Sequence, residues 1–217
     1  MRHLKQHLQW AICATTCALS AAALVACGGG GGAGSGSTSQ TTTSTTPGAS
    51  IAAVDGTITG FGSVIIDGQR FDDSVAKVAF ANNADTQTAG TLGDLHTGMH
   101  VQGELKDGVL QNLVVNFALV GTVGAVDTTA GTLTVFGQTI KTTATGQLPT
   151  VFDGFSALSQ LAVGDLVKVS GTVASDGSIT ATRIERKAKD GTEAFRLSGA
   201  VQSVDTTAKT FTLVGNS

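Results

Sequence analysis

The chain has 217 residues, of which 41% are hydrophobic and 13% charged, with a formal net charge of −3, a single Trp and no Tyr. That length allows more than one small domain. Mild acidity, and aromatics that apart from Trp10 are phenylalanines mostly at apparent core positions, argue against a protein that grips nucleic acid, which needs basic grooves lined by aromatic platforms.

Arg2 and Lys5 precede an apolar run, Ala11 to Ala26, which is too short to span a bilayer and has the three-part layout of an export signal. The run closes on Leu24-Val25-Ala26-Cys27 and opens onto Gly28 to Gly32. This four-residue pattern resembles the lipobox of bacterial lipoproteins. The resemblance implies cleavage after residue 26, acylation of Cys27, and attachment of the mature protein to a membrane. Several acyl chains hold a protein far better than one, each buried methylene contributing roughly 0.8 kcal/mol. Gly28 rather than Asp after that cysteine implies, again by resemblance, the outer membrane of a diderm bacterium. Cleavage would discard Cys13 and Cys17, leave no disulfide framework, and move the net charge to −5, since Arg2 and Lys5 go with no acid.

Residues 27–50 are rich in Gly, Ser and Thr and cannot bury enough apolar surface to order themselves, so they read as a disordered tether. Its reach scales as roughly 5 Å times the square root of its residue number, a few tens of ångströms. Gly28 to Gly36 is not a phosphate-cradling loop, because no Lys-Ser/Thr comes after it.

Beyond the tether the chain repeats itself. The stretch Gly121 to Gly137 aligns without gaps on Gly199 to Gly215, and both carry Val-Asp-Thr-Thr-Ala at the same place. A shorter version starts at Gly56. Leu95 to Val101 aligns on Leu161 to Val167, and Gly103 to Gly108 on Gly171 to Gly177. The expected organisation is a signal peptide (1–26), a linker (27–50), a first β-repeat module (51–117), a second (118–188) and the truncated start of a third (194–217). The last stretch is expected either to be poorly fixed or to borrow an edge from the second module, because an isolated hairpin is marginal in water. A further expectation is that the sequence is a fragment of a longer repeat protein.

Within a module the periodicity is two, the mark of half-buried strands. Met99, Val101, Gly103 and Leu105 fall on one face and His100, Gln102 and Glu104 on the other. Val167, Val169, Gly171 and Val173 repeat this against Lys168, Ser170 and Thr172. Asp67-Gly68, Asp107-Gly108 and Asp176-Gly177 read as turns, and short helices are expected near Thr91 to Leu95 and Ala157 to Val163. The order of three strands, a short helix and two strands predicts an all-β protein of tandem small OB-like barrels of about five strands, with a sandwich as the alternative. Lipobox, tether and units reading Gly-x-Val-x-x-Val-Asp and Val-Gly-Asp-x-Val-x-Val-x-Gly together resemble a bacterial lipoprotein family of unknown function. That family brings no catalytic residues to carry over. Gly98-Met99-His100 departs from its pattern where Gly164-Asp165-Leu166 keeps it.

Candidate chemistry is sparse. Asp94, His96, His100 and Glu104 have the donor types of a zinc-like site, but Ala162 and Leu166 stand where the second module would need the histidines, so exposed side chains are the expectation. Asp72-Asp73 has the composition of an acid/base pair and reads instead as a solvated turn. Asn82-Asn83-Ala84-Asp85 lacks the spacing of a calcium loop. Arg183, Arg186, Lys187 and Lys189 form a basic cluster suited to anionic headgroups or, the favoured reading, to a solvated connector with Glu185, Asp190 and Glu193 interspersed. No catalytic, cofactor-binding or metal residue is therefore assigned, and Cys27 alone carries a role, lipidation. The expected function is a non-catalytic binding or scaffolding module of the cell envelope, anchored through acylated Cys27 and with a protein partner. The alternative is an envelope carbohydrate-active or metal-binding protein.

Overall fold

The computed structural model describes residues 50–83, 85–146, 148–191 and 193–215. The signal peptide, the lipidation site at Cys27 and all but the last residue of the tether lie outside them. Ser50, that last residue, already exchanges hydrogen bonds with Asp107 at 2.9 Å.

The described chain is all-β. Its first part runs β1 (Ile51–Gly60), β2 (Ile65–Ile66), β3 (Gln69–Arg70), β4 (Lys77–Ala81), β5 (Gln87–Gly90), β6 (His100–Lys106) and β7 (Val109–Asn116). These form one sheet in the order β3-β2-β1-β6-β7-β4-β5. A parallel bridge from Asp72 to Val109 ties the far end of β3 back to β7. The second part runs β8 (Leu119–Asp127), β9 (Thr132–Val135), β10 (Gln138–Lys141), β11 (Val151–Asp153), β12 (Leu166–Val173) and β13 (Ile179–Lys187). Strands β10-β9-β8-β12-β13 lie side by side in that order, and parallel pairing of β10 with β13 closes a five-stranded barrel. The same strand order thus occurs twice, with β1, β2, β3, β6 and β7 matching β8, β9, β10, β12 and β13.

Curvature comes from bulges, which insert one residue and bend the strand. Thr59 is the extra residue in β1 and Gly124 in β8. Gln111 and Thr182 play the same part in β7 and β13. A bulge also swaps the faces of a strand. In β13, Ile179 and Ala181 point into the core, and beyond Thr182 it is Ile184 that does so, leaving Arg183 and Glu185 on the outer side.

Three differences from the expected elements have clear causes. The short helices are single 3-10 turns, Leu92–Asp94 and Leu158–Gln160, and the described residues contain no α-helix. Three residues are enough because the chain must then pass straight into the Gly98 and Gly164 turns, whose φ of +87° and +88° suits only glycine well. The stretch before each turn, unassigned from sequence, supplies β4 and β11, which pair in parallel with β7 and β13. Within β12, Val173 is 43% exposed while Ser170 is buried, because the bulge that bends β13 past Ser170 breaks the alternation there.

Two cores result. One gathers Ile58, Val101, Leu110, Leu113 and Val115, joined by Val120 and Leu166 from the second part. The other gathers Val123, Leu133, Val135, Ile140, Val167, Val169 and Ile184. After the barrel, β14 (Arg196–Leu197) adds to the edge of β8, whereas β15 (Val201–Asp205) and β16 (Thr210–Leu213) form a separate two-stranded sheet. Part of the final stretch therefore does borrow an edge.

Candidate functional site

The outward faces of the strands decide what surface chemistry the molecule offers. Arg183, carried outward by the bulge at Thr182, is not exposed: its side chain is 7% accessible because the Thr97–Gly98 turn lies over it. Its guanidinium donates to Glu185 Oε1 at 2.8 Å, to Asp153 Oδ2 and to the Thr97 carbonyl at 3.3 Å. Beside it the Thr182 hydroxyl donates to the Gly98 carbonyl at 2.6 Å. The basic cluster read as a solvated connector is thus strand β13 and the segment leaving it. Arg186 donates to the Gln160 and Gly154 carbonyls, Lys187 lies 3.9 Å from Glu185, and Lys189 lies 3.7 Å from Asp165. These cations are held by the protein's own acceptors, which removes the motive for placing them against headgroups.

Two clefts flank this joint. One, of about 480 Å³, is lined by Phe80, Asn82, Phe117, Val120, Lys168 and Glu193. Lys168 Nζ meets Glu193 Oε2 at 2.7 Å and stands 5.0 Å above the Phe117 ring. The other, of about 500 Å³, sets Asp55, His100, Gln102, Asn116 and Arg196 beside Phe117 and Val173. Here β1, β6 and β7 set side chains from three adjacent strands on one face. His100 Nε2 lies 3.0 Å from Asp55 Oδ1, Gln102 donates to Asp55 Oδ2 at 2.8 Å, and Asn116 donates to Gln102 at 3.3 Å. His100 Nδ1 is buried without a hydrogen-bond partner. Such a chain of amides, imidazole and carboxylate can bind a polar ligand through its rim. Asp55 and Asn116 were not named from sequence, and Lys168 and Glu193 only as an outward strand residue and as an acid beside the basic cluster. The outward alternation of His100 and Gln102 was the available signal, and the cross-strand partner is what sequence alone does not give.

The structure does not bring the metal-type residues together. His100 is taken by Asp55, Glu104 accepts from Asn112 at 3.0 Å, and Asp94 closes its own turn. Among the described residues no three His, Cys, Asp or Glu side chains form a group that could hold a metal. Asp94 accepts from the Thr91 hydroxyl and the Thr91 amide, both at 2.8 Å, and these bonds hold its carboxyl below the usual carboxylate value. Asp72 is lowered in the same way by Ser74, side chain first and backbone second. Asp73 accepts from the Val64 amide at 2.8 Å. Asn83 accepts from the amides of Asp85 and Thr86, an ordinary turn between β4 and β5.

The class of protein these features define is an all-β chain built on a closed five-stranded barrel. Residues 120–185, which contain nearly all of that barrel, match the family model described as Domain of unknown function (DUF5666). No curated protein and no solved structure matches the chain.

Proposed function

We propose that the chain is an exported lipoprotein, held to a bacterial outer membrane by acylated Cys27, whose tandem OB-like barrels form a non-catalytic binding or scaffolding module. The attachment rests on the Leu24-Val25-Ala26-Cys27 pattern and the Gly/Ser/Thr stretch after it. The observation that carries the binding reading is the state of the carboxylates. Asp72 and Asp73, the acid/base candidates, and Asp94, read as a metal-type donor, each accept a hydrogen bond from a backbone amide, and Asp72 and Asp94 are held ionised by their bonds. A general acid or base needs a proton affinity near the working pH, and bonding to the charged form moves a carboxyl the other way. What the surface offers in place of acid/base chemistry is clefts and strand edges, which suit recognition. The test is fractionation of cells carrying Cys27→Ser. The variant should leave the membrane fraction for the soluble one, and its persistence with membranes would contradict the attachment.

A further inference from the structure

In the cleft of about 500 Å³ beside the joint, side chains of neighbouring strands are tied into a row. Register sets Gln102 beside Asp55 and His100 between Thr57 and Asn116, so the row crosses β1, β6 and β7. Asp55 Oδ1 faces His100 Nε2 at 3.0 Å, and Oδ2 accepts from Gln102 at 2.8 Å. A carboxylate has about four acceptor sites. The Asp55 side chain is 58% exposed, so capacity remains for a ligand that donates. Asn116 spends one N–H on Gln102, and a side-chain amide has a second N–H and a carbonyl besides. Because these groups fix one another, little side-chain freedom is left to lose on binding.

The row can hold a ligand but has no means to transform one. His100 Nε2 is taken by Asp55, and Nδ1 is buried without a partner, out of a ligand's reach. An imidazole with neither nitrogen open cannot pass a proton to a bound molecule, so His100 serves to position Asp55. The other lining residues decide the ligand's chemistry. Arg196, fixed to the Ala81 carbonyl at 3.2 Å, balances the charge of Asp55, while Phe117 and Val173, the latter 43% exposed, add apolar surface. An ion of either sign would meet one favourable and one unfavourable charge. Donors and acceptors set side by side suit groups that are both, and a hydroxyl is both. A pyranose ring carries several hydroxyls around its edge and C–H surface on its faces, which matches this mixture. The volume lies within the range of about 300–1,000 Å³ found for small-ligand sites.

We propose that this cleft is a binding site for a neutral saccharide, with Asp55 accepting from sugar hydroxyls, Asn116 and Arg196 donating to others, and Val173 against the C–H face of the ring. The proposal rests on the reading of the chain as a binding module and names that module's ligand class. Its test is an NMR titration of the full chain carrying Cys27→Ser, followed on the side-chain NH2 signals of Gln102 and Asn116. The probes are neutral tetrasaccharides of glucose, mannose, galactose and N-acetylglucosamine, with tetragalacturonate, tetraglucosamine and the zwitterion dialanine as charged comparisons. At least one neutral probe should shift both signals saturably and remain intact. Asp55→Asn, nearly isosteric, and Asn116→Ala should each weaken that probe roughly tenfold, as expected for lost ligand hydrogen bonds, read on Gln102. Asn112→Ala, which changes a partner of Glu104 outside the cleft, should leave the affinity unchanged. Saturation by none of the neutral probes overturns the proposal, as does saturation by charged probes alone. Unchanged affinity in both cleft variants overturns it by placing the sugar elsewhere, and cleavage of the probe overturns it by showing a site that reacts. Failure here leaves the membrane fractionation of Cys27→Ser untouched, so the two readings fall separately.

Discussion

Replacing Arg183 by Met keeps most of the side-chain volume and removes the charge that holds the first sheet's Thr97–Gly98 turn to β13. Asp153 is 52% exposed and stays hydrated, so the penalty falls on Glu185, whose side chain is 10% exposed. Removing one partner of a buried pair costs about 3–5 kcal/mol because the other charge is left uncompensated. Lys187 Nζ, 3.9 Å from Glu185, offsets part of that and places the expected loss near the lower end, about 3 kcal/mol. With a urea slope of about 2 kcal/mol/M the midpoint should fall by about 1.5 M. Far-UV circular dichroism is the suitable probe, since the single Trp is Trp10 and lies outside the described residues. Arg183→Met with Glu185→Leu should recover most of the loss, because the stranded carboxylate is then gone. A loss under about 1 kcal/mol for the single variant, or a double variant as poor as the two singles summed, would refute the account of Arg183 as a desolvated clamp.

Gly98→Ala tests the same joint from the other side. An added Cβ would stand 2.6 Å from the Thr182 carbonyl oxygen, at a φ of +87°, so a loss of about 2 kcal/mol or more is expected in the same urea assay, and a neutral result would show that the turn can move. The capping carboxylate Asp94 has its folded-state pKa lowered from 3.8, first by the Thr91 hydroxyl and then by the Thr91 amide. Its contribution to stability is therefore present above pH 3.8 and is lost as pH falls through the lower folded value. A carboxyl NMR titration should place Asp94 below 3.8 and move the Thr91 amide signal with it, and a midpoint at or above 3.8 would sink the assignment.

What could be read from the residues was whatever depends on local alternation. The split of β6 into inward Val101 and Leu105 and outward Gln102 and Glu104 is that of the folded strand. Asp67-Gly68 and Asp107-Gly108 adopt positive φ at both residues, as tight hairpins require. What could not be read depends on partners distant in sequence. Strands β4 and β11 are five and three residues long and exist because β7 and β13 offer a parallel edge. Arg183 reads as a solvated cation because Glu185, Arg186, Lys187 and Lys189 crowd the same short stretch, and a one-residue bulge capped by the Thr97–Gly98 turn is what buries it. The polar cleft was half legible: His100 and Gln102 point outward on pattern, but Asp55 reaches them only because β1 lies beside β6.

The duplicated topology also explains why the two clefts differ. Asp55 opposite Gln102 and Thr57 opposite His100 in the first sheet occupy the places of Val120 opposite Lys168 and Thr122 opposite Leu166 in the barrel. In the barrel this outer face is spent on the joint, with Val120 and Leu166 packed into the first core and Lys168 drawn to Glu193. In the first sheet the same face carries Asp55, His100 and Gln102 and lines an open cleft. Apolar substitution at two of three positions turns one copy into a buried contact worth about 25 cal/mol per Å² covered. Retention of three hydrogen-bonding side chains keeps the other copy wet, because burying it would strand an imidazole and a carboxylate. One strand pattern, used twice, therefore yields a packed joint in one copy and an open face of hydrogen-bonding side chains in the other, and the difference lies in the outward residues rather than in the fold.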